Sequence, residues 1–156
     1  MKTKMEMVEI DKLVPYVNNA RTHSKEQIMK LRSSLREFGF INPVIIDSQF
    51  NIIAGHGRVL AAKEEKMNKV PCILVDYLSE AQKKAYIIAD NKMALDAGWD
   101  EELLRIEIEE LEGMNFDLSL TGFDVSELDE LFGSSDKREI EDDKFDVTSA
   151  LEKPHL

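Results

Sequence analysis

The chain has 156 residues, 43% of them hydrophobic, and a formal net charge of −11. That is about one domain's length with enough apolar material for a core, which excludes a disordered chain. No apolar run reaches the ~18 residues that span a bilayer, and the start MKTKMEMVEI lacks the apolar stretch of a signal peptide, so a cytoplasmic protein with no membrane partner is expected. The single cysteine, Cys72 in VPCILV, rules out an internal disulfide or a cysteine metal cluster and reads as a buried small hydrophobe. The charge is uneven: residues 1–75 hold 12 Lys and Arg against 8 Asp and Glu, and residues 76–156 hold 8 against 23. Only the first half, with Lys25, Lys30, Arg32, Arg36, Arg58, Lys63, Lys66 and Lys69, suits a polyanion, and strong unaided DNA binding is not expected.

In chain order, residues 6–10 read as a short strand, followed by the turn-rich loop LVPYVNNARTHS. Ser24 with Gln27 fits a capping box, and Ile28, Leu31, Leu35 and Phe38 recur at helical spacing until Gly39, so a helix is predicted over 25–38 with a basic outer face. Residues 43–47 and 51–54 read as the two strands of a hairpin, and a helix from Gly57 or Arg58 to Met67 leads into a strand over 70–76. Ser79 and Gln82 form a second capping box opening a helix to about Leu95, with Ala81, Ala85, Ile88 and Ala89 expected inward. Asp100 caps a helix over 101–112, with Leu103, Leu104, Ile108 and Leu111 inward and glutamates outward. No helix-turn-helix is read over 79–112, because those glutamates would repel phosphates. A last helix is expected over 125–132, and from Gly133 on the composition reads as an acidic linker or disordered tail, residues 133–156. The domains expected are thus an α/β core over 1–78 and a helical segment over 79–132.

The stretch Ala54-Gly55-His56-Gly57-Arg58 joins a strand to a helix. Unpaired amides at a helix start attract an anion, glycine lets backbone approach a ligand, and arginine offers a fork to phosphate. His56 adds a donor, or an acid or base near neutral pH. On spacing alone, however, such a pattern is more often a tight structural turn than a phosphate cradle. His23 and Asp90-Asn91 likewise suit surface positions.

Several separated segments carry a resemblance that covers residues 7–132. They are Asn19-Ala20-Arg21-Thr22-His23-Ser24, Gly39-Phe40-Ile41-Asn42-Pro43-Val44, Ile53-Ala54-Gly55-His56-Gly57-Arg58 with Ala61-Ala62, and Ile88-Ala89-Asp90-Asn91-Lys92 followed by Trp99-Asp100. In this order they resemble the ParB N-terminal domain-like family, shared by ParB partition proteins and sulfiredoxins. The branch most resembled is the ParB-like domain that bacteria, phages and mobile elements carry in front of a DNA methyltransferase, and residues 143–151 are similar to the linker before that enzyme. No methyltransferase motif follows, so that activity would require a longer gene product.

The resemblance implies an α+β fold, a small mixed-sheet domain followed by a helical segment. It implies a nucleotide-binding module, for CTP or ATP with magnesium, regulating or targeting DNA metabolism beside a methyltransferase, with DNA contact indirect or weak, a homodimer, and at most weak triphosphate hydrolysis. Gly55 and Arg58 match the family's phosphate-wrapping Gly-Glu-Arg-Arg, while His56 and Gly57 depart from it. Arg21 is a further phosphate ligand, Gly39, Ile41 and Pro43 belong to the base-contacting stretch, and Asp90 and Asn91 resemble the metal-holding Glu-Asn pair. His56 is the catalytic candidate. It stands where sulfiredoxins have their nucleophilic cysteine, so sulfinic acid reduction is not expected. Two alternatives stand beside this: a metal-dependent ParB-like nuclease, with Asp90 and more distantly Asp47 as acids, and a protein-interaction domain without chemistry of its own.

Overall fold

The computed structural model describes residues 3–16 and 22–142, with side chains as far as Gly133. Two units result, Met1–Ala97 and Gly98–Leu156. In the first, strands β1 (Thr3–Glu9), β2 (Val44–Ile46), β3 (Ile52–Ala54) and β4 (Lys69–Val75) form one sheet in the order β1-β4-β2-β3. β4 runs antiparallel to β1 and parallel to β2, and β2 runs antiparallel to β3, so the sheet is mixed. Val44, Ile46, Ile52, Val70 and Cys72 are fully buried. Helices α1 (Lys25–Phe38) and α2 (His56–Glu64) complete this core through Ile28, Leu35, Val59, Ala61 and Ala62. The two fully buried alanines of α2 take up little volume, which suits close packing on the core.

The caps read from sequence are present. The Ser24 hydroxyl accepts from the Gln27 amide at 3.1 Å, and Ser79 and Gln82 form a reciprocal box at the start of α3 (Glu80–Asp96). The basic outer face of α1 is not left to a polyanion as expected. Arg32 donates to Glu65 at 2.7 Å and to Glu64 at 3.1 Å, and Arg36 also pairs with Glu65. Two of the four cations on that face therefore tie α1 to α2.

The hairpin between β2 and β3 turns on Asp47, which is only 4% exposed. Its carboxylate accepts from the Gln49 and Asn51 amides, both at 2.9 Å, from Asn51 Nδ2 at 3.0 Å, and from Lys83 Nζ of α3 at 2.9 Å. Burial pushes the carboxyl's pKa up, but the Lys83 bond and those from Asn51 and Gln49 outweigh it and hold the group below the ordinary carboxylate range. Asp47 is thus a structural acid with its oxygens engaged, not the reserve catalytic carboxylate considered above.

The same ion pair accounts for two corrections. The boundary expected near residue 78 lies between Ala97 and Gly98, because Lys83 and the buried Ile87 attach α3 to the sheet. The inward face of α3 is the opposite one, with Ile87 buried and Ile88 65% exposed. Apolar residues lie on several sides of α3, so periodicity does not choose a face. A buried carboxylate needing Lys83 does, and residues at i+4 spacing follow.

In the second unit, α4 (Glu101–Gly113), a single 3-10 turn (Leu118–Thr121) and α5 (Val125–Asp142) follow one another. Asp100 and Asp124 cap the two helices through the amides of Leu103 and Glu127. Ile108 is buried as expected, whereas Leu103 is exposed and Arg105 is buried in its stead, donating to the Leu131 carbonyl at 3.4 Å. The helix expected to end at Phe132 continues to Asp142. A single glycine costs a helix only about 1 kcal/mol, and the residues after Gly133 contain no proline before Pro154. The rest of the expected tail, 143–156, lies outside the described residues. Among the described residues no helix is long and apolar enough to cross a membrane.

Replacing Asp47 by Ala removes the buried partner of the largely buried Lys83 ammonium, which keeps only its pair with the exposed Glu80 carboxylate, and leaves the Gln49 and Asn51 amides of the hairpin turn without their acceptor. Chemical denaturation should show a loss of about 3 kcal/mol. The wild-type contribution is full above the ordinary carboxylate pKa and disappears as pH falls through the lower folded value, so Asp47→Ala should be less acid-sensitive than wild type over that range.

Candidate functional site

The turn from β3 into α2 is built around two missing side chains. Gly55, the residue before α2, has φ +106°, which L side chains rarely adopt, and a Cβ there would stand 3.0 Å from the Arg58 guanidinium and 3.4 Å from Val44 Cα. Gly57 is buried in the first turn of α2, where a Cβ would stand 2.9 Å from Cε1 of His23 and 3.1 Å from a Leu31 methyl. The first glycine therefore serves backbone geometry and the second makes room for a histidine ring from the start of α1. No side chain caps α2.

Around this turn opens a cleft of about 360 Å3. It gathers Pro43, Gly55, His56, Gly57 and Arg58 with Asp90 and Asn91 of α3, which had been expected together from separated segments. Gly39 and Ile41 do not line it: Gly39 ends α1 at φ +81° and Ile41 is 71% exposed, so only the end of their stretch, Asn42 and Pro43, reaches the cleft. Arg21 lies outside the described residues. His23, expected at the surface, lines the cleft together with Gln27 and Tyr86. His23 stands in one of the segments that carry the resemblance, but neither that nor the glycine at position 57 names the ring as its partner.

The polar groups are held by contacts distant in sequence. Arg58 Nη2 donates to the Pro43 carbonyl at 3.0 Å, folding the guanidinium back over Gly55. Its Nε is buried without a partner. Burial lowers the Arg58 pKa and the charge of Asp90 opposes that, yet arginine stays protonated at any ordinary pH. The Tyr16 amide donates to His56 Nε2 at 3.1 Å, which places the proton of the neutral ring on Nδ1. Burial, and then the proximity of His23, lower the His56 pKa. His23 Nδ1 is 3.1 Å from Gln27 Oε1, and Asn91 Nδ2 donates to the Ile87 carbonyl at 2.9 Å. Cys72 does not line the cleft, and burial, with a contribution from Glu6, pushes its thiol up to about 11, far from a reactive thiolate.

Comparison with known proteins gives two family matches: residues 1–91 to the ParB N-terminal domain and residues 102–155 to the ParB-methyltransferase HTH domain. The latter overturns the expectation of no helix-turn-helix. It begins at residue 102, inside the 79–112 stretch, and runs on beyond it to take in α4 and α5. The chain is 48% identical over 86 residues to the ParB-like nuclease domain-containing protein YnaK of Escherichia coli (strain K12), an alignment covering 54% of this chain and 99% of that protein. It is 27% identical over 135 residues to the probable chromosome-partitioning protein ParB of Rickettsia prowazekii (strain Madrid E), covering 84% of this chain and 43% of that relative, less than half its length. Among solved structures, the C-terminally truncated chromosome-partitioning protein ParB from Caulobacter crescentus, complexed with CTP-gamma-S, gives a TM-score of 0.64 at 20% identity, covering 76% of this chain and 68% of that one. At that identity the likeness is one of fold.

Two outcomes follow from the packing of this turn. Gly57→Ala forces a Cβ against His23 and should lower stability by about 1–3 kcal/mol. If the His23 contact is the cause, the loss in denaturant midpoint should shrink when the same change is made in a His23→Ala background. Between the lowered folded pKa of His56 and its ordinary 6.5, the unfolded chain binds more protons, so stability should fall as pH drops below 6.5. A ring titration by NMR should place His56 below 6.5 with the proton on Nδ1, and a value above 6.5 would contradict the Tyr16 contact.

Proposed function

The chain belongs to the ParB N-terminal domain family, and from that premise we propose that its cleft holds the phosphates of a nucleoside triphosphate, CTP or ATP with magnesium, in a regulatory module that acts beside a DNA methyltransferase. The observation that carries this reading is convergence: Gly55–Arg58, Pro43, Asp90 and Asn91 come from three separate segments and share one cleft. Of the two relatives named for partition, one was solved with a nucleotide analogue, and the second family match names a methyltransferase.

The chain's own groups divide the work. The first-turn amides of α2, which no side chain caps, offer donors to phosphate oxygens. Arg58 supplies fixed positive charge beside this turn, its guanidinium held in place by the bond from Nη2 to the Pro43 carbonyl. His56 enters as a neutral Nδ1 donor. With Nε2 already accepting from Tyr16, it is poorly placed as a general base, so it orients phosphate and does not take its proton. Asp90 and Asn91 present hard oxygen atoms suited to magnesium, which when bound would neutralise phosphate charge. The nuclease reading is less favoured: metal-assisted phosphodiester cleavage wants several acidic ligands, and among the described residues no three His, Cys, Asp or Glu side chains are so gathered.

Calorimetric titration with CTP and ATP should show saturable binding. Arg58→Ala should weaken it about 10–100-fold with or without magnesium, the loss of a charge-assisted contact. Asp90→Ala should weaken it only when magnesium is present. Binding unaffected by both changes would refute the site, and no heat with any triphosphate would leave the interaction-domain reading.

A further inference from the structure

The second unit carries an aromatic hollow that the nucleotide reading does not use. Trp99, the only tryptophan of the chain, is 67% exposed, and its ring centroid lies 5.6 Å from that of Phe123, tilted by 50°. Beside the pair is a hollow of about 240 Å3, with buried Leu131 and half-buried Leu104 at its base and the carboxylates of Glu101, Glu127 and Glu130 around it. An indole packed only for stability would be covered. This one turns much of its face to water beside an apolar base, the arrangement of a surface that receives a side chain.

The charge of the unit says which side chain. Between Gly98 and Gly133 the sequence holds twelve Asp and Glu against one Arg and no Lys. That arginine, Arg105, is buried, donates to the Leu131 carbonyl, and lies 3.9 Å from Glu101, whose side chain remains 58% exposed. Arg105 therefore does not neutralise the rim, and over the whole unit, Gly98–Leu156, nineteen Asp and Glu stand against five Lys and Arg. Glu127 Oε1 accepts from the Asp124 amide at 3.0 Å at the start of α5, so Glu101 and Glu130 are the rim carboxylates that can be changed without disturbing that contact. An apolar base, a π face and flanking carboxylates are the three surfaces that an arginine uses together: its methylene stem on leucine, its guanidinium plane on indole, its fork on carboxylate.

We propose that this hollow is a docking site for an arginine side chain presented by a polypeptide partner. The field of the unit draws cationic groups in and opposes phosphates, so a basic peptide fits this face and a nucleic acid does not, although the segment matches a helix-turn-helix family.

Because Trp99 is the sole tryptophan, its emission reports on the hollow directly. The full chain would be titrated with the peptide Ac-Gly-Ser-Arg-Ser-Gly-amide and with its citrulline counterpart, which keeps the shape and removes the charge. A saturable change in emission is expected with the arginine peptide. It should be at least about tenfold weaker with citrulline, and in the Glu101→Gln/Glu130→Gln double variant, whose far-UV circular dichroism should match wild type. Equal responses to the two peptides, no saturable change at millimolar concentration, or a duplex oligonucleotide altering the emission at a lower concentration than the arginine peptide, would each overturn the proposal.

Discussion

In the turn from β3 into α2, Gly55 sits at a φ of +106° that side chains rarely adopt and Gly57 has the His23 ring where a Cβ would stand, and the geometry of the cleft follows from how these two positions are packed. Over Gly55 lies the Arg58 guanidinium, bonded back to the Pro43 carbonyl at the entrance to β2. Against Gly57 lie the His23 ring and a Leu31 methyl from α1. Two absent side chains thus let three separate segments meet at the start of one helix. A methyl group at either position would separate groups whose value lies in their convergence.

The electrostatics of the cleft follow from the same packing. Burial disfavours charge on both His56 and Arg58, with opposite practical results. The imidazole answers by staying neutral, fixed as a donor through Nδ1 because the Tyr16 amide occupies Nε2. The guanidinium cannot give up its proton, so it remains a cation with Asp90 nearby and a buried Nε lacking an acceptor. One neutral donor and one obligate cation at an uncapped helix start form a site suited to an anion, with hard oxygen donors on α3 for an accompanying cation.

Much of this was legible in the sequence where the signal is local. The limits of α1 follow from Ser24, Gln27 and Gly39, the hairpin from two β-branched runs, and the caps of α3 and α4 from Ser79 and Asp100. What escaped depends on contacts far apart in the chain. Tyr16 and His56 are 40 residues apart, and Asp47 and Lys83 are 36 apart. No periodicity encodes either pair, and the second decides which face of α3 turns inward. His23 escaped because a glycine announces space without naming what enters it. The helix-turn-helix segment was discounted on its glutamates, a fair argument against phosphate contact that says nothing about the connectivity of the helices.

On the proposed function, a triphosphate lies on the turn between β3 and α2. The most direct measurement is a crystal structure of the chain soaked with CTP and magnesium. Phosphate density is expected against the backbone of Gly55, His56 and Gly57 and within reach of Arg58, with the metal on the side of Asp90. Nucleotide density elsewhere on the chain, with this turn vacant, would contradict it.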